Sequence, residues 1–210
     1  MRPKLRFSAT VASLLFIALQ FTGCGSSPQA RFYTLSSLAI PGETGDSLDG
    51  QERQVVAIGP VALADYLENP AITTRSGPNT LTRSELDRWG GSLDNEVTRV
   101  LVENIGQLMA DEAYLILPWL ETDAASYRLQ INITRFEGTY EGSVVLNANW
   151  IIFGGQRNSM VASGHAAITE PLRDSGYAAI SDAMSRALAE LSRQTAAELK
   201  RVNSSPKPGR

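Results

Sequence analysis

Hydrophobic positions along this chain recur with two different periods, and the switches between them divide it into strands and helices. Residues 127–134, YRLQINIT, alternate strictly: Tyr127, Leu129, Ile131 and Ile133 fall on one side, Arg128, Gln130, Asn132 and Thr134 on the other. Side chains of a strand point alternately to its two faces, so this pattern predicts a half-buried strand. SVVLNANWIIF at 143–153 repeats it, with Val144, Leu146, Ala148, Trp150 and Ile152 on one face. GGQRN at 154–158 then turns the chain into SMVASGHAAI at 159–168, which predicts an antiparallel meander. Upstream, QVVAIGPVAL at 54–63 is a β-rich run ended by Gly59-Pro60. AITTR at 71–75 and TLTRSELDRW, separated by SGPN, predict a hairpin. AYLILP at 113–118 and RFYTL at 31–35 predict two short strands.

The helical period occupies two segments. In 92–109, Leu93, Val97, Val100, Leu101, Ile105 and Leu108 recur at spacings of three and four. Ser92 is placed to cap, and Asp94 and Glu96 suit the positive N-terminal end. In 177–200, Tyr177, Ile180, Met184, Leu188, Leu191, Thr195 and Leu199 form one stripe. Gly90-Gly91 joins the preceding strand to the first helix. Two long helices on one face of a largely antiparallel sheet bury all these stripes, so the expected fold is α+β, a single domain over 31–200. Residues 36–54, rich in Gly, Ser and acids, read as a loose excursion, and 201–210 as a disordered tail.

The first 23 residues belong to neither pattern. Arg2, Lys4 and Arg6 precede an apolar run from Ala9 to Phe21, and Thr22-Gly23 are small residues before a cut. That is the layout of an export signal, too short and too polar at its end for a membrane span. The only cysteine, Cys24, follows directly and has no partner for a disulfide. FTGC at 21–24 resembles the bacterial lipobox, with Phe21 where leucine is usual. The resemblance implies acylation of Cys24 before cleavage of 1–23. Gly25, where an aspartate would favour inner-membrane retention, implies the periplasmic face of the outer membrane in a Gram-negative cell. One acyl chain holds a protein marginally, at ~0.8 kcal/mol per buried methylene, so several chains would anchor it durably. Residues 24–30 then form a lipidated tether. If RFYTL docks on the domain, the six residues between Cys24 and Arg31 reach ~20 Å.

Charge and chemistry narrow the function classes. The chain has 19 basic and 22 acidic residues; the signal segment holds three basic and no acidic ones, so the remainder carries a net charge of about −6. Nucleic acid is disfavoured as a partner, since phosphate binding needs clustered basic surface. One histidine, His165, lies in a predicted strand beside Ser163 and Gly164, with no Gly-x-Ser-x-Gly elbow. RWGGSL at 88–93 lacks the ending of a phosphate-binding loop. Asp87, Asp94, Glu96 and Glu103 read as a solubilising face. With Cys24 acylated, one histidine and scattered carboxylates make no metal site. The expectation is a non-enzyme with no metal and no cofactor beyond the acyl chains on Cys24.

The runs VVAIGPVALADYLENPAITTR at 55–75 and ELDRWGGSLDNEVTRVLVENIGQL at 85–108 resemble the ABC-type transport auxiliary lipoproteins. RFYTL, YRLQINITRFEG, VVLNANWIIF and the helix AISDAMSRALAELSRQTAAEL add matches in the same order, and the PqiC-type branch of the paraquat-inducible membrane-integrity transporters is the nearest in pattern. RWGGSL departs from the Ala-Glu-Pro usual in that branch. The resemblance implies a docking and assembly role: periplasm-spanning MCE-domain proteins carry lipids between the two membranes, and the lipoprotein receives them at the outer membrane. Tyr66, Leu67, Asn69, Pro70, Ile72, Arg75 and Trp89 are the candidate contact residues, Leu67, Ile72 and Trp89 being equally compatible with the core. Assembly into a homo-oligomeric ring around a tunnel fits such a role. An autonomous lipid carrier with its own cavity, or an accessory lipoprotein of another envelope transporter or secretion machine, are the alternatives.

Overall fold

The structure, a computed structural model, describes residues 28–38, 53–112, 114–119, 125–139, 142–154 and 159–204. The predicted export signal, Cys24, the stretch 39–52 and residues 155–158 of the predicted turn lie outside the described residues. Eight strands alternate with two helices: β1 Arg31–Tyr33, β2 Gln54–Leu63, β3 Ala71–Gly77, β4 Thr80–Trp89, α1 Leu93–Leu108, β5 Tyr114–Pro118, β6 Tyr127–Thr139, β7 Ser143–Gly154, β8 Ser159–Pro171 and α2 Tyr177–Ser204. A single 3₁₀ turn, Asp65–Leu67, joins β2 to β3.

All eight strands form one sheet organised around β6. Along one edge β6 pairs antiparallel with β7, which carries β8. Its other edge is shared: β2 runs parallel beside Tyr127–Ile133, and β3 pairs parallel with Gly138 and Thr139. β2 carries β5, and β3 carries β4 and then β1. The sheet is therefore mixed. Its antiparallel part is the meander β6–β8 and the β3–β4 hairpin, while β1, β2 and β5 join in parallel. Tight turns force the former pairings; the latter strands enter through long connections, for which parallel pairing is open. Both helices lie on one face, α1 against β2 and β5, α2 against β6, β7 and β8, with the helices touching each other. This is the α+β arrangement expected, with no closure of the sheet.

The alternating rows form the core as the pattern demands. Leu129, Ile131 and Ile133 face Ile152, Trp150 and Ala148 across β6–β7, all buried beneath the helices. After Ile133 the register slips by one residue, which moves Phe136 and not Arg135 inward, opposite Leu146. β2 does not stop at Gly59-Pro60 but passes through it as an irregularity between Ile58 and Val61. Gly59 has φ +127°, and a Cβ there would lie 3.0 Å from that of Trp119, so only glycine fits. On β8, Gly164 leaves room for the Trp150 indole, whose Cζ2 would be 2.3 Å from an added Cβ.

The segment after β1 is built into the helix layer. Thr34 to Leu38 lie against both helices, their backbone groups satisfied by side chains. Ser181 Oγ donates to the Thr34 carbonyl at 2.7 Å, and Arg99 to that of Leu35 at 2.7 Å. The amide of Leu35 donates to Glu96 at 3.2 Å, that of Ser36 to Ser185 Oγ at 3.0 Å, and that of Leu38 to Asn104 Oδ1 at 2.7 Å. The first three residues of the expected loose excursion are thus held, because small hydroxyls on α2 and a buried asparagine on α1 replace strand partners. Ser92 occupies the N-cap of α1 without a side-chain cap bond. α2 runs to Ser204, four residues beyond the predicted end, where the Ser204 hydroxyl donates to the Lys200 and Arg201 carbonyls.

Candidate partner-docking site

Six of the seven candidate contact residues lie where the 3₁₀ turn, the start of β3 and the end of β4 meet the start of α1, and Arg75 lies further along β3, beside the end of β6. The structure sorts them into three roles. Leu67, Ile72 and Trp89 are core residues, 4, 1 and 4% exposed. The backbone that carries them is pinned: Ala64 N–H donates to Ile133 at 3.0 Å, Leu67 N–H to Ala64 at 2.8 Å, and Trp89 N–H to Pro70 at 2.8 Å.

Asn69 and Pro70 lie at the surface with one edge of Trp89. Asn69 Oδ1 accepts from the Ala71 amide at 2.9 Å, closing an Asx turn that fixes the loop. Beside it opens a cleft of about 550 Å³. Its apolar floor is Pro70, Trp89 and Leu93, and its rim carries Asn69 and the carboxylates of Glu68 and Asp94, with Gly91 and Ser92 at the helix start. Gly90-Gly91 shapes this wall, as the amide of Gly90 bonds the Tyr33 carbonyl at 2.7 Å and turns the chain out of the sheet. A cleft with an aromatic floor and an acidic rim suits an apolar or aromatic side chain flanked by a cation.

Tyr66 and Arg75 have a different role. Both converge on Glu137, a residue with no exposed surface. Arg75 Nε donates to its Oε1 at 2.6 Å and Arg135 Nε at 2.8 Å; the Phe136 amide donates to Oε2 at 3.1 Å, and the Tyr66 hydroxyl makes a further short bond there. Burial alone would raise the Glu137 pKa, but the bonds from Tyr66, Arg75 and Arg135 outweigh it and hold it below the ordinary value. Tyr66 is pushed up to about 12, by burial first and then by its bond to the carboxylate. The cluster ties the 3₁₀ turn and β3 to the end of β6.

Sequence reasoning missed Glu137. The apolar row 129, 131, 133 resumes at 136, and that change of phase marks the slip that turns Glu137 toward Arg75. It also misplaced Asp87, expected as a solubilising carboxylate. Asp87 is 3% exposed and binds Arg31 through two bonds, 2.7 and 3.0 Å, together with Tyr33 at 2.8 Å and Ser84 at 2.8 Å. This joins β1 to β4. Asp94 is exposed on α1 and Glu103 is bonded to Arg99, while Glu96 bonds Arg99 and accepts from the Leu35 amide of the packed segment. His165 is exposed on β8, 3.2 Å from Asn149 Oδ1 across the strand pair. Among the described residues no three His, Cys, Asp or Glu side chains gather as metal ligands, and no helix is long and apolar enough to cross a membrane.

The family of ABC-type transport auxiliary lipoprotein components matches residues 33–196. Over 135 residues the chain is 23% identical to the intermembrane transport lipoprotein PqiC of Escherichia coli (strain K12), covering 64% of this chain and 70% of that one. PqiC of Shigella flexneri matches equally. Among solved structures, protein XCC0632 from Xanthomonas campestris superposes with a TM-score of 0.64 at 18% identity, over 83% of this chain and 97% of its own. An uncharacterized protein superposes at 0.67 and 17% identity, over 82% and 99%. These two share the fold.

Proposed function

We propose, since the chain belongs to the family of ABC-type transport auxiliary lipoprotein components, that it is the lipid-anchored periplasmic subunit of a PqiC-like, MCE-type intermembrane lipid transport system. In this reading Cys24 carries the acyl chains at the outer membrane, and the folded domain docks the periplasm-spanning MCE protein and so supports membrane integrity. The observation that carries it is the fixed N-terminal segment. β1 is paired with β4, and residues 34–38 are bonded to both helices, so six residues, 25–30, separate Cys24 from the first strand. A domain within ~20 Å of its anchor does not bridge the periplasm. A long partner must reach it, and the cleft beside Asn69, Pro70 and Trp89 is the surface offered to that partner. The apolar sheet face is filled by α1 and α2, which weighs against an autonomous carrier holding lipid between sheet and helices.

The test is chemical crosslinking and pull-down of the acylated protein from its native envelope, with Cys24→Ala as control. Recovery of an MCE-domain protein by the wild type, with loss of outer-membrane fractionation in the control, supports the proposal. Recovery of phospholipid with no such protein would replace it with the carrier reading. Recovery of a different envelope machine would reassign the partner.

A further inference from the structure

Among the described residues the most exposed large apolar side chain is Phe32, 67% exposed, in the middle of β1. Its exposure is imposed by its neighbours. Arg31 and Tyr33 both turn toward the buried carboxylate of Asp87, at 2.7 and 2.8 Å, and alternation along a strand then commits Phe32 to the opposite face of the sheet. Turning Phe32 inward would undo both bonds. On that outer face it stands beside Arg88, its register partner on β4. The exposed charge beside Phe32 on that face is Arg88, while Arg31 is turned to the other face and paired with Asp87, on a chain whose net charge beyond the signal segment is about −6. The corner is also the point where the chain leaves for Cys24, seven positions before Arg31.

We propose that the β1–β4 corner is a membrane-seating surface: Phe32 enters the headgroup layer of the phospholipid bilayer and Arg88 meets lipid phosphates. The inference rests on anchoring at Cys24. Aromatic side chains and arginine both favour the bilayer interface. A tether of this length keeps the corner at high effective concentration beside the lipid, so a small contact suffices to orient the domain. Of the sheet's other terminal strands, β8 lies five strand spacings away, about 24 Å.

The test places single tryptophans in the full-length acylated protein, reconstituted in phosphatidylethanolamine–phosphatidylglycerol vesicles whose acyl chains are brominated near the headgroup. Phe32→Trp reports on the corner and Met160→Trp, at a 62% exposed site on β8, on the far edge; the parent protein supplies the background of its own tryptophans. The expected result is flotation of all three proteins with vesicles and loss of most of the added emission at position 32, with none at 160. Flotation with emission at 32 unquenched would overturn the seating while leaving the anchor in place, as would capture of a protein by a photo-crosslinker at that position. Stronger quenching at 160 would reverse the orientation. Failure to float would remove the anchoring reading and the seating with it.

Discussion

Glu137 has no exposed surface and four hydrogen-bond donors around it, two of them arginines. A charge so placed is stable only while its donors stay, so the cluster fails one partner at a time. Arg75→Met removes one charge-assisted bond while Arg135 remains; the expected cost is about 1.5–3 kcal/mol, read from urea denaturation. Adding Arg135→Met should cost more than the sum of the two single changes, because the carboxylate then keeps only neutral donors. The pH dependence has a definite sign. Glu137 and Asp87 both titrate below the ordinary carboxylate range when folded, since bonds from Tyr66, Arg75 and Arg135, and from Arg31, Ser84 and Tyr33, overcome the opposing effect of burial. Their contribution is complete above the unfolded pKa of about 4 and is lost as pH falls through the folded values. Glu137→Gln should flatten the acid limb of a stability–pH curve; an unchanged limb would show that the cluster does not govern it. Tyr114 is the opposite case. Its hydroxyl is buried with no hydrogen-bond partner among the described residues, and burial pushes its pKa up to about 12. Tyr114→Phe should leave stability unchanged or raise it by up to about 1 kcal/mol in thermal denaturation, because the lost group makes no bond.

At the scale of elements, the segment 34–38 is the part that joins β1 to the helix layer. It has no strand partner, and its backbone is held by Ser181, Ser185, Glu96, Arg99 and Asn104. The amides of Ser36 and Leu38 should therefore exchange slowly with solvent deuterium, and Ser185→Ala combined with Asn104→Ala should speed both without altering exchange in β6 and β7. The strands and helices themselves were legible where one face is apolar: the rows of β6 and β7, the stripes of both helices, and the hairpin at Pro78-Asn79 occupy their predicted places within a few residues. The clamp was not legible. Serine and asparagine on a helix read as solvent-facing unless the segment they bind is known, and Ser181, Ser185 and Asn104 are buried because that segment covers them. Parallel pairing of β1, β2 and β5 was hidden for a related reason: no turn residue announces a partner brought in from far along the chain.

For the whole molecule, the sheet, the helix layer and the segment 31–38 form one body. The seven candidate contact residues do different things in the fold: Asn69, Pro70 and Trp89 line the cleft, Tyr66 and Arg75 bond the buried Glu137, and Leu67 and Ile72 are core. An apolar residue in a short run carries no mark of whether it meets a partner or the interior, so only the fold separates them. We propose that the corner holding the cleft receives the periplasm-spanning partner while an anchor at Cys24 holds the domain at its membrane. The most direct measurement is photo-crosslinking in intact cells with the probe at position 70 and, as comparison, at position 165 on the exposed face of β8. The account predicts a covalent adduct with an MCE-domain protein from position 70 and far less from 165. Adducts from 165 with none from 70 would contradict it, and the docking surface would have to be sought on the other edge of the sheet.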